Sequence, residues 1–165
     1  MLTRSIVLIL LAFAVAAAPA MALDVGDKAP NFTLKALGGQ EDITLSKWRG
    51  EKAVLLVFWA TWCPNCLEEI PAIKEINAVF KDSIKVVAVN ADINDSLSKA
   101  IAYKSKNSIN YTMAYDHGTK VSRLYGVVGI PTVFILDKAG TVRYKDTGVP
   151  KPAEIEENMT KLLGR

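Results

Sequence analysis

The chain has 165 residues, half of them hydrophobic, a composition that fits one domain with a real core and excludes a disordered or fibrous protein. Twenty Lys and Arg against 17 Asp and Glu leave a formal charge of +3, and with no basic run and no patch of interleaved aromatics a nucleic-acid partner is excluded. There are two cysteines, three positions apart, which excludes a framework of structural disulfides.

The N-terminus, Met1-Leu2-Thr3-Arg4, carries one positive charge and leads into an uncharged apolar run from Ile6 to Ala18. As a helix that run spans roughly 20 Å, short of a ~30 Å hydrocarbon core. Pro19 ends the run, and Ala20-Met21-Ala22 sets small residues at both recognition positions of a signal peptidase. Residues 1–22 are therefore expected to be a signal peptide cleaved after Ala22, leaving residues 23–165 as the mature domain; an uncleaved membrane anchor is the alternative. Export places the mature protein in a periplasmic or other extracytoplasmic compartment. Cleavage removes Arg4 alone among charged residues, so the mature chain keeps a formal charge of +2.

In residues 31–45 two apolar stretches flank Gly38-Gly39, which predicts a β-hairpin ahead of the main fold. Ser46–Gly50 reads as a short helical turn. Ala53–Phe58 is a continuous apolar run, the pattern of a central strand buried on both faces. From Pro64 to Phe80 the residues Ile70, Ile73, Ile76 and Phe80 recur at helical spacing, with Glu68, Lys74, Glu75 and Lys81 for the wet side. Ile84–Asn90 then reads as a strand, Ser96–Lys106 as a helix, Tyr111–Tyr115 as a short strand and Thr119–Tyr125 as a short helix. Thr132–Leu136 and Thr141–Lys145 form a hairpin around Asp137-Lys138-Ala139-Gly140, and a last helix runs from Pro152 to Leu163. Strands and helices in alternation, closed by a hairpin and a helix, predict an α/β domain: a mixed central sheet flanked by helices on both faces, with an N-terminal β-hairpin extension.

Cys63 falls where the buried strand gives way to the helix that begins at Pro64. Unpaired backbone N–H groups and the positive end of the helix dipole stabilise a thiolate there, and cysteines in such settings have pKa values of about 3.5–7.5 instead of ~8.5. Cys63 is the expected nucleophile. Pro64 at the first helical position loses no hydrogen bond and holds φ ready for the helix. Cys66, nearly one turn on and less exposed, resolves a mixed disulfide by attacking Cys63, so the pair performs both halves of an exchange reaction. A bridge closing so small a loop stabilises at the bottom of the ~0–5 kcal/mol range, which makes chemistry the better reason for it. Structural zinc lacks its four ligands, since His117 is the sole histidine. Copper(I) accepts two thiolates, so a non-catalytic copper chaperone is the competing class.

Phe58-Trp59-Ala60-Thr61-Trp62-Cys63-Pro64-Asn65-Cys66 resembles the active-site segment of the thioredoxin superfamily, in particular the exported TlpA, ResA and CcmG-like branch, and the likeness covers nearly all of residues 25–165. The resemblance implies a thioredoxin fold and thiol–disulfide oxidoreductase activity with the Cys63–Cys66 disulfide as the redox group and no further cofactor or metal. It implies a helix kink at Pro71, a cis-proline at Pro131 in Gly129-Ile130-Pro131-Thr132, and a substrate surface formed by Trp62, Pro64, Ile130 and Pro131, with strand-like pairing of the substrate peptide beside the cis-proline. It also points to Glu69, three residues beyond Cys66, as an acid–base group. Helical spacing supports that placement, because residues three apart share a face while Glu68 points elsewhere.

Two departures are informative. Cytoplasmic thioredoxins bury an acid six positions before the first cysteine, and here that position is Val57. The Pro-x-x-x-Thr-x-x-Cys pattern of peroxiredoxins is absent, with Thr61 one position too close to Cys63. The resemblance implies reduction of protein disulfides, such as the cysteines of apocytochrome c, in preference to general disulfide oxidation or isomerisation. Its implied partners are that protein substrate and a membrane thiol–disulfide electron donor, with the domain acting as a monomer. Trp48 and Trp59 are expected to pack in the core, His117 to lie on the surface, and Asp92 and Asp95 are given no role.

Overall fold

A strand whose residues are apolar without alternation has to be covered on both faces, and Ala53–Trp59 (β3) is buried at all seven positions. The computed structural model describes residues 23–39, 41–148 and 152–164; the expected signal segment, residues 1–22, lies outside the described residues. Beside β3 on one side lie Ile84–Asn90 (β4) and Thr112–Tyr115 (β5), both parallel to their neighbours, and on the other side Thr132–Leu136 (β6) and Val142–Thr147 (β7), both antiparallel. The order is β5-β4-β3-β6-β7, a mixed five-stranded sheet.

Alternate residues of the central strands feed two cores. Leu55, Val57, Trp59, Val86, Ala88, Val133 and Ile135 face Pro64–Phe80 (α1), Leu97–Lys106 (α2) and Pro152–Leu163 (α4), through Ile73, Ile76, Ala100, Ile155 and Met159. Leu56, Phe58, Val87, Val89 and Phe134 face the N-terminal segment and Lys120–Leu124 (α3), through Phe32, Leu45 and Val121. Helices on both faces of a mixed sheet are thus observed. The hairpin is observed as well: Thr33–Lys35 (β1) pairs antiparallel with Asp42–Thr44 (β2), and Leu37 N–H donates to the Met113 carbonyl (2.7 Å), docking the hairpin on the β5 edge.

Several expected elements differ at their ends by a residue or two, and two of these differences have a clear local cause. The helix expected from Thr119 to Tyr125 is the shorter α3, because Gly118 and Thr119 both take left-handed φ (69° and 58°) and so interrupt helical geometry. Its N-terminal N–H groups are met instead by the buried Asp116 carboxylate, which accepts from Val121 and Ser122. β7 runs two residues beyond its expected end, because Thr132 and Val133 of β6 continue to find partners in Thr147 and Asp146.

The topology sets the working edge. β3, β4 and β5 end on the side of the sheet where the antiparallel β6 begins and β7 ends: Trp59 pairs with Asn90, Asn90 with Tyr115, Phe58 with Thr132 and Thr132 with Thr147. The loops after β3, β4 and β5 and the segment before β6 therefore converge, the crevice at the carboxyl ends of parallel strands where α/β folds place their sites.

Tyr125 locks the second core. It is fully buried, its ring packs on Phe32, Phe58 and Phe134 at centroid distances of 5.9, 5.6 and 5.5 Å, and its hydroxyl donates to the Pro30 carbonyl at 2.6 Å. Tyr125→Phe keeps the ring and strands that carbonyl, so unfolding in urea is expected to show a loss of about 1–2 kcal/mol with an unchanged m-value. A variant as stable as the parent would mean that the hydroxyl bond contributes nothing net.

Candidate active site

Cys63 follows the turn Ala60–Trp62 and is the N-cap of α1, with extended backbone (φ −87°, ψ 105°) and its N–H on the Ala60 carbonyl (3.3 Å). Its sulfur accepts the Cys66 backbone N–H at 3.3 Å, a direct contact between an orphan donor of the helix N-terminus and the sulfur. Cys63 and Cys66 are joined in a disulfide. The two are almost equally enclosed, 4% and 3% exposed, so the expected contrast in exposure is not found. Pro64 is exposed at the first helical position, and α1 continues through Pro71 to Phe80.

The Ile130–Pro131 peptide bond is cis. The Ile130 carbonyl oxygen lies 3.8 Å from Cys63 Sγ, which brings the segment before β6 against the dithiol. Ile130 packs on the edges of both cores, Thr132 Oγ1 donates to the Gly129 carbonyl (2.6 Å) and Gly148 N–H donates to the Pro131 carbonyl (3.0 Å), so this turn is tied at each end. Trp62 is half exposed beside Cys63, while its Nε1–H donates to the Ile93 carbonyl at 2.6 Å. Val128 is the most exposed large apolar side chain among the described residues, at 94%, two residues before Ile130. Of the other aromatic residues, Trp59 is buried with its ring on Tyr103, Trp48 is partly buried beneath Lys85, and His117 is exposed.

Glu69 is buried on α1, while Glu68 is exposed. Neither carboxyl oxygen of Glu69 has a hydrogen-bond partner, an arrangement that a charged form tolerates poorly. Burial pushes the Glu69 carboxyl up from the ordinary 4.5 to about 8, and the charge of Asp146 on β7 pushes the same way. A carboxyl titrating there is matched to a thiol, which is the condition for efficient proton transfer between the two.

Asp95, given no role from sequence, ties the active-site turn to the loop after β4. Its carboxylate accepts the Thr61 N–H (2.7 Å), Thr61 Oγ1–H (2.8 Å), Asn90 Nδ2–H (2.7 Å) and Ser96 N–H (2.8 Å). Burial pushes its carboxyl up, but the bonds from Asn90, Thr61 and Ser96 outweigh burial and hold it below the usual range. The pairing Asp95-Ser96 just before α2 is a legible helix start, since Ser96 Oγ accepts the Lys99 N–H, but nothing in the sequence joins it to Thr61. Asp92, the other acid without an assigned role, accepts from Tyr115 Oη and from the Gly118 N–H.

The sequence profile of the AhpC/TSA family matches residues 25–145. The chain belongs to the AhpC/TSA family. Thiol-disulfide oxidoreductase ResA of Bacillus thuringiensis subsp. konkukian is 32% identical over 141 residues, covering 85% of this chain and 79% of the relative. Thioredoxin-like protein YneN of Bacillus subtilis is 33% identical, over 81% of this chain and 78% of the relative. Among solved structures, a Chlorobium tepidum protein provisionally described as thiol:disulfide interchange protein DsbE matches with a TM-score of 0.79 at 34% identity, covering 87% of this chain and 100% of that one. Within the AhpC/TSA family these likenesses support the TlpA, ResA and CcmG-like branch, and the protein is a thiol–disulfide oxidoreductase of thioredoxin fold.

The two carboxyls tilt stability in opposite directions with pH. Asp95, lowered in the folded state, contributes stability that is present above the ordinary carboxylate range and lost as pH falls through its folded value. Asp95→Asn is expected to cost about 1–3 kcal/mol at pH 7, a deficit that closes on acidification because the parent alone loses this contribution. Glu69, raised in the folded state, contributes stability that is complete below 4.5 and lost as pH rises towards about 8. Glu69→Gln is expected to lack that decline, so that parent and variant converge in stability at low pH and separate at pH 9 in the variant's favour. Urea titrations of the oxidised proteins from pH 3 to 9 check both, and parallel curves for either pair would remove the corresponding assignment.

Proposed function

We propose that this oxidoreductase is an exported reductant of protein disulfides, with cleavage after Ala22 and the cysteines of apocytochrome c as the substrate class. The observation that carries the reading is the Cys63 sulfur, held at the N-terminus of α1 on the Cys66 N–H and set 3.8 Å from the carbonyl that precedes cis Pro131. A relative named ResA, a thiol-disulfide oxidoreductase, supports the class of reaction.

In the proposed cycle the reduced enzyme attacks first. The Cys63 thiolate, favoured by the helix N-terminus, attacks one sulfur of the substrate disulfide; the substrate's other sulfur leaves with the bonding electrons and is protonated. The substrate chain lies along Ile130 and Pro131, with Trp62 and Pro64 completing the surface around the sulfur. Cys66 then gives its proton to the Glu69 carboxylate and attacks Cys63 Sγ, which expels the reduced substrate and leaves the Cys63–Cys66 disulfide. Two electrons have passed to the substrate. A membrane dithiol returns them, because the bacterial periplasm holds no thiol buffer that would do so. The enzyme works as a monomer, since the two cysteines of one chain complete the exchange.

The direction of exchange rests on the potential of the couple. Equilibrated against defined dithiol ratios, Cys63–Cys66 is expected to fall well below about −200 mV; a value near −120 mV would reverse the assignment and make the protein a disulfide donor. The order of attack is read separately: Cys66→Ser is expected to accumulate a mixed disulfide with a cysteine-containing substrate peptide, and Cys63→Ser to accumulate none.

A further inference from the structure

Residue register places a second carboxylate on the face of the sheet that α1 covers. Met113, Ala88, Val57 and Val133 are neighbours in one row across β5, β4, β3 and β6, and all four belong to the core packed beneath α1. The row continues onto β7, where Val133 is paired with Asp146. Side chains of paired residues point to the same face, so Asp146 is turned towards α1 two strands from Val57, roughly 10 Å away. Tyr144, two residues earlier on the same face of β7, packs on that core, which fixes the orientation independently. Glu69 is buried on α1 with both carboxyl oxygens unpartnered, and the charge of Asp146 acts on it.

We propose that Asp146 is a positioning residue for the exchange reaction: its negative charge opposes a second one on Glu69, and so keeps a proton stored beside Cys66. The inference rests on Glu69 as the acid–base group and adds the group that sets when it gives up its proton. In the recharging half-reaction a donor thiolate attacks Cys63 Sγ, the Cys63–Cys66 bond breaks, and Cys66 leaves with the electron pair. The Glu69 proton passes to that sulfur, giving a Cys66 thiol and a Glu69 carboxylate. The donor's second thiolate then attacks the donor sulfur of the mixed disulfide, releasing the Cys63 thiolate and an oxidised donor. When Cys63 next forms a mixed disulfide with substrate, the Glu69 carboxylate, made more basic by Asp146, takes the Cys66 proton back and frees Cys66 to attack.

Two ionisable groups act on Glu69 or feel its charge. Asp146 faces it from β7, and Tyr111, at the entrance to β5, is coupled to it and to Tyr103 of α2. Tyr144 links Asp146 to Glu154 at the start of α4. None of these is a cation, so nothing among them offsets the repulsion between the two carboxylates.

Asp146→Asn removes the charge while its amide oxygen can still accept the Thr147 N–H, which Asp146 Oδ1 accepts at 2.8 Å; Tyr144→Phe controls for the hydroxyl that also reaches Asp146. Protein labelled with carbon-13 at the glutamate carboxyl is titrated by NMR, with Glu69→Gln assigning the signal. The Glu69 midpoint is expected near 8 in the parent, lower by about half to one pH unit in Asp146→Asn, and restored in Asp146→Glu. The pH at which the rate of mixed-disulfide resolution rises should move down by the same amount. Asp146→Ser should repeat the shift if the asparagine variant folds poorly. A parent midpoint near 8 that does not move in either charge-removing variant overturns the role of Asp146 and leaves Glu69 standing. A parent in which no signal lost in Glu69→Gln titrates above 6 overturns both.

Discussion

The contact between the Cys66 N–H and the Cys63 sulfur is the point on which the rest of the site depends, and it exists because a strand buried on both faces runs directly into a helix. A helix N-terminus has backbone donors without intrahelical acceptors, and the residue at the cap is the one side chain placed to receive them. Here that residue is a cysteine, so the donors act on a sulfur that has to become a thiolate. The sheet holds the arrangement still. β3 is the middle strand, β4 ends level with it, β6 begins one residue short of the same edge, and the 17-residue α1 lies across one full core. Loosening that core would misplace the sulfur and the donors together.

Around this junction the loops are fastened by groups that have little to do with the hydrophobic core. Asp95 gathers four donors from Thr61, Asn90 and Ser96, and Trp62 reaches Ile93, so the turn before Cys63 and the loop after β4 behave as one piece. On the opposite side Thr132 and Gly148 hold the Gly129–Pro131 turn. The edge of the sheet thus presents two fixed walls with the disulfide between them. Exchange chemistry benefits from that stiffness, because an attacking sulfur has to approach along the S–S axis and a wall that drifts loses the geometry.

Much of the fold was legible because the apolar patterns were unambiguous. The uninterrupted run of β3, the 3–4 spacing of Ile70, Ile73, Ile76 and Phe80, and the Asp137–Gly140 turn each admit one reading, and those elements lie within a residue or two of their expected ends. The end of α3 was not legible, since it depends on left-handed φ at Gly118 and Thr119, and a threonine in that conformation carries no periodic signal. Within the proposed site, the placement of Cys63, Cys66 and Glu69 on one segment was readable because a helix fixes which of its residues share a face. Asp95 and Asp146 were not. Asp95 acts on a residue 34 positions earlier, and Asp146 sits in a strand of ordinary polar composition, Val-Arg-Tyr-Lys-Asp-Thr, whose facing is set by the register of β7 on β6 and by Tyr144 packing on the core. A slip of one residue would turn it to the other face, and no local feature of the sequence forbids that slip.

The row Met113–Ala88–Val57–Val133–Asp146 gives a physical reason for Val57 where cytoplasmic thioredoxins bury an acid. A carboxyl at Val57 would sit in the middle of five strands with apolar neighbours on either side, so its ionisation would be opposed by the whole core and would draw on the stability of the fold. With valine there the sheet stays apolar under α1. Acidity is moved to two places outside the middle of the sheet: Glu69 on the helix, one turn from Cys66, where burial keeps it protonated, and Asp146 at the sheet edge, where half-burial leaves water at hand. Division of the charge has a consequence for tuning. A substitution at position 146 alters the field at Glu69 without opening a cavity, whereas a change at position 57 alters field and packing together. In this arrangement the proton chemistry of the dithiol can vary along the last strand of the sheet while the two cores that hold Cys63 at the end of its helix remain as they are.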